Sequence, residues 1–196
     1  MKTYVIAGLG NPGPTYQWTR HNAGFLFLDR LAHLENLSIT RKSFSGLTGE
    51  WSHHGNRLIL LKPQTFMNLS GQAVMQALQF HKLPLSQLIV VHDELDIPFG
   101  TVRLKLGGGH GGHNGLRSIL ERLGKGDFTR LRIGIGKSLH GDTTNYVLGN
   151  IPPAEMETLP RVLDGGLEMI EMLLDEGLPK AMSMYNNKNY LALKTE

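Results

Sequence analysis

Short apolar runs alternate with stretches of helical periodicity along this chain. Residues 3–9 are rich in apolar side chains and free of charge, the pattern of a strand buried on both faces. Glycines and prolines break that run at once. From Asn22 to about Leu34 the residues Phe25, Leu28, Leu31 and Ala32 recur at helical spacing, with Asn22 as the expected N-cap. Residues 40–44 are polar and basic, a loop or a ragged strand start. Leu47, Gly49 and Trp51 alternate weakly, residues 53–56 read as a turn and residues 57–62 as a strand, so a hairpin is expected. Pro63 opens a loop to Leu69. Ser70 is the expected cap of a helix to about His81, with Val74, Ala77, Leu78 and His81 on one face.

The second half repeats the alternation. Residues 88–92 form a core strand stopped by Asp93, Glu94, Leu95 and Asp96, and Pro98 and Gly100 make a turn. Residues 101–106 alternate, with Val102, Leu104 and Leu106 on one face and Arg103 and Lys105 on the other. Six glycines then fall within residues 107–115, a loop whose backbone must bend sharply or approach something closely. Asn114 is the expected cap of a helix over 116–123. Residues 131–137 read as another strand, and 138–150 as a glycine- and threonine-rich flap. A long helix is expected over 154–176, ended by Gly177 and Pro179, with a polar, fraying tail over 186–196. Strands alternating with helices predict one α/β domain over residues 1–196, its twisted sheet mixed but largely parallel, with helices on both faces.

Composition narrows the chemistry. With no cysteine among 196 residues, disulfides, thiolate metal sites and cysteine nucleophiles are excluded. The initial apolar run is too short for a signal peptide or a membrane span, which predicts a cytoplasmic protein. A net charge of +3 does not by itself predict a nucleic-acid partner. The first loop matches a dinucleotide fingerprint, Gly8-x-Gly10-x-x-Gly13. Yet Pro12 and Pro14 remove two N–H donors where a pyrophosphate would sit, and Asp29 falls inside a predicted helix instead of at a strand end. No serine stands in a Gly-x-Ser-x-Gly elbow. A hydrolase here would have to activate water directly, and the chain offers His21 for the base and Asp93 to orient it; each alone also reads as ordinary structure, His21 at a helix start and Asp93 as a turn residue or helix cap. His92-x-Glu94, His110-x-x-His113 and the pair His53-His54 are possible metal ligands, but none forms a His-Glu-x-x-His pattern, and no metal or other cofactor is expected. His92 reads as a hydrogen-bonded core histidine, and Asn68 and Asn114 as ordinary helix caps. The polar residues Asn11, Asn68, Asp93, His113 and Asn114 all follow strand ends, where open α/β sheets bind ligands.

Six segments together resemble the bacterial-type peptidyl-tRNA hydrolase family: 8–13 (GLGNPG), 19–24 (TRHNAG), 62–71 (KPQTFMNLSG), 92–96 (HDELD), 107–116 (GGGHGGHNGL) and 130–136 (RLRIGIG). The likeness spans nearly the whole chain. It implies hydrolysis of the ester between a peptide and the terminal ribose of tRNA, with peptidyl-tRNA as partner and no membrane or obligatory protein partner, by a monomer. By the same resemblance His21 is the base, Asp93 holds it, and Asn11 and Asn68 bind the peptide backbone. Asn114 positions substrate or water, and Tyr16 and Phe66 line the site with Met67 and His113 nearby. Arg103, Lys105, Arg132 and Lys137 would meet tRNA phosphates. The competing reading is a non-catalytic RNA-binding module on the same scaffold; a nucleotide-dependent α/β enzyme is a weaker third.

Overall fold

The computed structural model describes residues 1–192. Its centre is four parallel strands: β1 (Thr3–Gly8), β4 (Asn56–Pro63), β5 (Leu88–Glu94) and β7 (Thr129–Gly134). Antiparallel strands extend both edges: β2 (Arg41–Ser43) and β3 (Gly46–His53) beside β4, and β6 (Val102–Leu106) beside β7. The order across the sheet is β2-β3-β4-β1-β5-β7-β6. The hairpin expected at residues 47–62 is β3–β4.

Because side chains alternate across a strand, β1 feeds two cores. Ile6 points into the layer made by α1 (Ala23–Leu34), α5 (Pro153–Glu176) and α6 (Leu178–Tyr185). Val5 and Ala7 point into the layer made by α2 (Ser70–His81) and α3 (Asn114–Leu123). Strands covered on both faces explain the uninterrupted apolar runs of β1 and β5. No helix among the described residues is long and apolar enough to cross a membrane.

Three glycines account for the fingerprint spacing, none through a phosphate. A Cβ on Gly8 would lie 2.4 Å from the Gly24 carbonyl oxygen, and one on Gly10 would lie 2.5 Å from the Phe25 ring. Gly8 lets α1 pack backbone-to-backbone on the end of β1, and Gly10 leaves room for the Phe25 ring. Gly13 adopts a φ of 100° and makes the turn. Asp29, the residue the dinucleotide reading needed at a strand end, sits in α1 and pairs with Lys62 at 2.7 Å.

The expected caps are used differently. Asn22 precedes α1 but its side chain makes no cap bond, and Ser70 is already helical and donates to the Met67 carbonyl. His113, not Asn114, caps α3, its Nδ1 accepting from the Gly115 and Leu116 amides. Leu106, expected on the buried face of its strand, is exposed. A helix was not expected over Leu178–Tyr185. There the proline falls in the first turn, where its missing N–H costs no helical bond. Residues 138–150 contain the short helix α4 (Thr143–Val147). Past α6, Asn186 donates to and accepts from the Leu104 backbone, and Tyr190 packs on Gly165. The last residues of the expected polar tail, 193–196, lie outside the described residues.

At Gly24, α1 meets the backbones of β5 and of the loop after β1. A Cβ at Gly24 would meet the Leu9 nitrogen and the Val91 oxygen, each at 2.4 Å, and neither can move without displacing a central strand. Gly24→Ala is expected to cost at least about 2 kcal/mol, read as a lower urea midpoint at unchanged slope.

Candidate active site

The site forms at the carboxyl ends of β1, β4 and β5, around the carboxylate of Asp93, which is 3% exposed. His21, in the single turn Arg20–Asn22 just before α1, places Nδ1 2.9 Å from Asp93 Oδ2. His113 places Nε2 2.8 Å from Asp93 Oδ1. The His113 tautomer follows from its other nitrogen: Nδ1 accepts from two backbone amides, so Nε2 carries the proton and donates to Asp93. An ionised Asp93 accepts, so His21 donates through Nδ1, leaving Nε2 as its unengaged nitrogen. The two rings are 4.8 Å apart.

Burial alone would raise the Asp93 carboxyl, but the two imidazoles outweigh it and hold it well below the usual carboxylate range. For His21, burial disfavours the charged ring, yet the attraction and hydrogen bond of Asp93 win and raise its pKa above 6.5. His92 is the expected core histidine. Its Nδ1 donates to the Asp93 backbone oxygen at 2.8 Å, its Nε2 has no partner among the described residues, and burial, then His113, pushes it down to about 3.

Asn11 is held on three sides. The Asn22 side chain accepts from the Asn11 amide at 2.8 Å and donates to its carbonyl at 2.9 Å, clamping the loop after β1 to the turn that carries His21. The Met67 amide donates to the Asn11 side-chain oxygen at 2.7 Å. Since an amide N–H faces it, that atom must be the oxygen, and Asn11 offers the cleft only its Nδ2 donor. Phe66, just before, adopts φ 53° and ψ 155°, a strained backbone that delivers the Met67 amide to Asn11. Its exposed ring meets Tyr16 edge-on at 6.4 Å.

A cleft of ≈ 750 Å³ opens over these groups. Of the sequence candidates, Asn11, Tyr16, His21, Met67, Asp93, Lys105, His113, Asn114 and Arg132 line it. Phe66, Asn68, Arg103 and Lys137 do not. Arg103 donates to the Asn186 carbonyl, and Lys137 pairs with the exposed Asp96 at 3.0 Å. His113, with both nitrogens engaged, serves Asp93 and α3 and has none left for a ligand.

Sequence reasoning missed three contributors. Asn22 looked like a cap. Arg130 is 3% exposed, sits over the Phe128 ring and donates to the Gly108 and Gly109 carbonyls, tying down the glycine loop. The wall from Thr143 to Leu148 is docked by Arg20, whose guanidinium lies 4.1 Å over the Tyr146 ring and donates to its carbonyl. The glycine loop itself does not follow a strand end on the Asp93 side. β6 runs antiparallel, Leu106 opposite Thr129, so its carboxyl end lies at the far end of the sheet. The loop runs back along the sheet to deliver His113.

His21, Asp93 and His113 are close enough to suggest a metal site. The donor set does not suit one: both nitrogens of His113 are committed, Nε2 to Asp93 and Nδ1 to the α3 amides, so a metal there would break one of these supports.

The shifts set a pH profile for stability. His92 binds protons more weakly folded than unfolded, so stability falls as pH drops from 6.5 toward 3, by about 3 kcal/mol at pH ~4.5. His21 acts oppositely: its contribution is complete below 6.5 and is lost as pH rises through its raised pKa. Urea titrations across pH are expected to place maximum stability near pH 6.5, with a shallower acid limb in His92→Gln.

Known proteins match this chain over nearly its whole length. The family described as Peptidyl-tRNA hydrolase matches residues 5–192. Relatives named peptidyl-tRNA hydrolase include one from Pelobacter propionicus, 80% identical over 97% of this chain and 99% of its own. Another, from Trichlorobacter lovleyi, is 71% identical over the same shares. The crystal structure of peptidyl-tRNA hydrolase from Acinetobacter baumannii matches with a TM-score of 0.89 at 39% identity, over 95% of this chain and 96% of that one. This chain belongs to the peptidyl-tRNA hydrolase family.

Proposed function

We propose that this chain cleaves the ester joining a peptide to the terminal ribose of tRNA by direct attack of water, with His21 as the base. The observation that carries this reading is the His21–Asp93 pair beside the free amide donor of Asn11 in one cleft. Asp93 fixes the imidazole with Nε2 unprotonated. A water donates its proton to Nε2 while its oxygen attacks the ester carbonyl. Charge develops on the carbonyl oxygen, where Asn11 Nδ2 is the candidate donor. As the tetrahedral intermediate collapses, the imidazolium returns the proton to the departing ribose oxygen, freeing tRNA and a peptide acid. Asp93 stabilises the imidazolium throughout, as its pull on the His21 pKa supports.

Substrate roles follow from what is unengaged. Asn114 lines the cleft and Asn68 lies just outside it. Neither side chain has a hydrogen-bond partner among the described residues, so both are available to a peptide backbone. A blocked amino group matches such amides better than a free ammonium, which only donates. Tyr16 and Phe66 offer ring faces to the tRNA terminus. Lys105 and Arg132 face the cleft as phosphate partners, with Arg103 and Lys137 flanking. The 138–150 segment acts as a flap hinged where Arg20 meets Tyr146. We read the protein as a cytoplasmic monomer that needs no cofactor or protein partner.

The deciding assay compares N-acetyl-aminoacyl-tRNA with unblocked aminoacyl-tRNA. The blocked substrate is expected to be hydrolysed, the unblocked one far more slowly. His21→Ala is expected to lose about 10²–10⁴ in kcat. The acid limb of the rate should have its midpoint above pH 6.5, because the base must be neutral and its pKa is raised. Tight tRNA binding without turnover by the wild type would instead establish a binding module. Lys105→Ala should raise KM, leave kcat nearly unchanged and reduce the salt slope of tRNA binding by about 1.

A further inference from the structure

We propose that His53, His54 and Asp175 form a binding site for a zinc-type transition-metal cation, clasping the tip of the β3–β4 hairpin to the end of α5. His53 Nε2 and His54 Nδ1 each lie 2.9 Å from the same Asp175 oxygen, across more than 120 residues of chain. The three ligand atoms lie within 4.8 Å of one another. Around a four-coordinate zinc with bonds of about 2.1 Å, ligand atoms lie about 3.4 Å apart. The two contacts with Asp175 therefore need to open by only about 0.5 Å. The His54 side chain is 74% exposed and free to give that distance.

The local structure favours the cluster. His54 takes a left-handed φ of 44° beside Gly55 in the hairpin turn, which sets the two imidazoles 4.1 Å apart. The Trp51 ring flanks His53 at 5.3 Å and restricts its orientation. Glu171 stands one helical turn before Asp175, on the same face of α5. Glu168, Glu171, Asp175 and Glu176 concentrate negative charge at that end of α5. Two imidazoles and a carboxylate select zinc or its neighbours over magnesium or calcium, which take oxygen ligands.

The site is remote from the reaction. Arg57, at the start of β4, pairs with Thr3, the first residue of β1, so the hairpin tip lies at the sheet end away from Asp93. Its role is a cross-link, not catalysis.

Isothermal titration of Zn²⁺ into the full chain near neutral pH tests this. One saturable site per chain is expected, with a Tm that rises on adding Zn²⁺. Loss of a ligand should weaken binding by at least the roughly 10–100-fold that losing a ligand's supporting hydrogen bond costs. His54→Ala and Asp175→Ala should each show that loss, together with a Tm indifferent to Zn²⁺ and unchanged ester hydrolysis. No saturable binding, or binding undiminished in both variants, overturns the proposal. So does binding lost in His21→Ala but kept in His54→Ala, which would place the ion in the cleft.

Discussion

A buried carboxylate that accepts hydrogen bonds from two imidazole N–H groups is the constraint around which this molecule is arranged. Leaving Asp93 unpaired would be very costly, because a desolvated charge without partners is among the least favourable groups in a protein interior. Three chain segments far apart in sequence must therefore converge: the turn before α1, the end of β5 and the start of α3. Each arrives with its own support. Asn22 binds the neighbouring loop, His92 holds the strand end, and the α3 amides hold His113. The same contacts that satisfy the carboxylate also assign the protons. His113 reads out as Nε2–H because its Nδ1 is occupied, and His21 is left with one bare nitrogen. Packing and protonation state are here one problem with one solution.

Polar satisfaction also explains the unusual backbone nearby. Phe66 sits at positive φ without being glycine, a conformation costing about 1–3 kcal/mol. The return is an oriented amide: the Met67 N–H locks the Asn11 oxygen and turns its donor outward. The side chain of Asn11 is thereby reduced from a group that both gives and accepts to one that only gives.

Much of the architecture was legible because it rests on periodicity. The strands at 57–62 and 88–92 and the long helix from about 154 to 176 lie within a few residues of their expected ends. His21 and Asp93 were legible as a pair because water activation without cysteine leaves few other combinations. What failed was local capping logic. Asn22, Ser70 and Asn114 all stand where caps stand, and a sequence window cannot see that Asn22 has a better partner in Asn11 or that His113 reaches the α3 amides first. The direction of β6 was equally hidden. Nothing in an alternating run says whether it lies parallel or antiparallel to its neighbour, so the glycine loop could be placed after a strand but not at the correct end of the sheet. Arg130 was invisible for a related reason: its burial depends on the loop folding back over it.

The layering has a consequence for biosynthesis. Every side chain that binds the Asp93 carboxylate has emerged by the time α3 is complete, as have the two helices, α2 and α3, that cover one sheet face. On the other face α1 lies against β1, β4 and β5, and α5 and α6, which come from the final quarter of the polypeptide, complete the cover over α1 and β6. A nascent chain halted before α5 would carry the whole Asp93 constellation over a half-covered apolar surface. Such a species is prone to self-association. Elongation through the last two helices, and not assembly of the reactive groups, closes that surface.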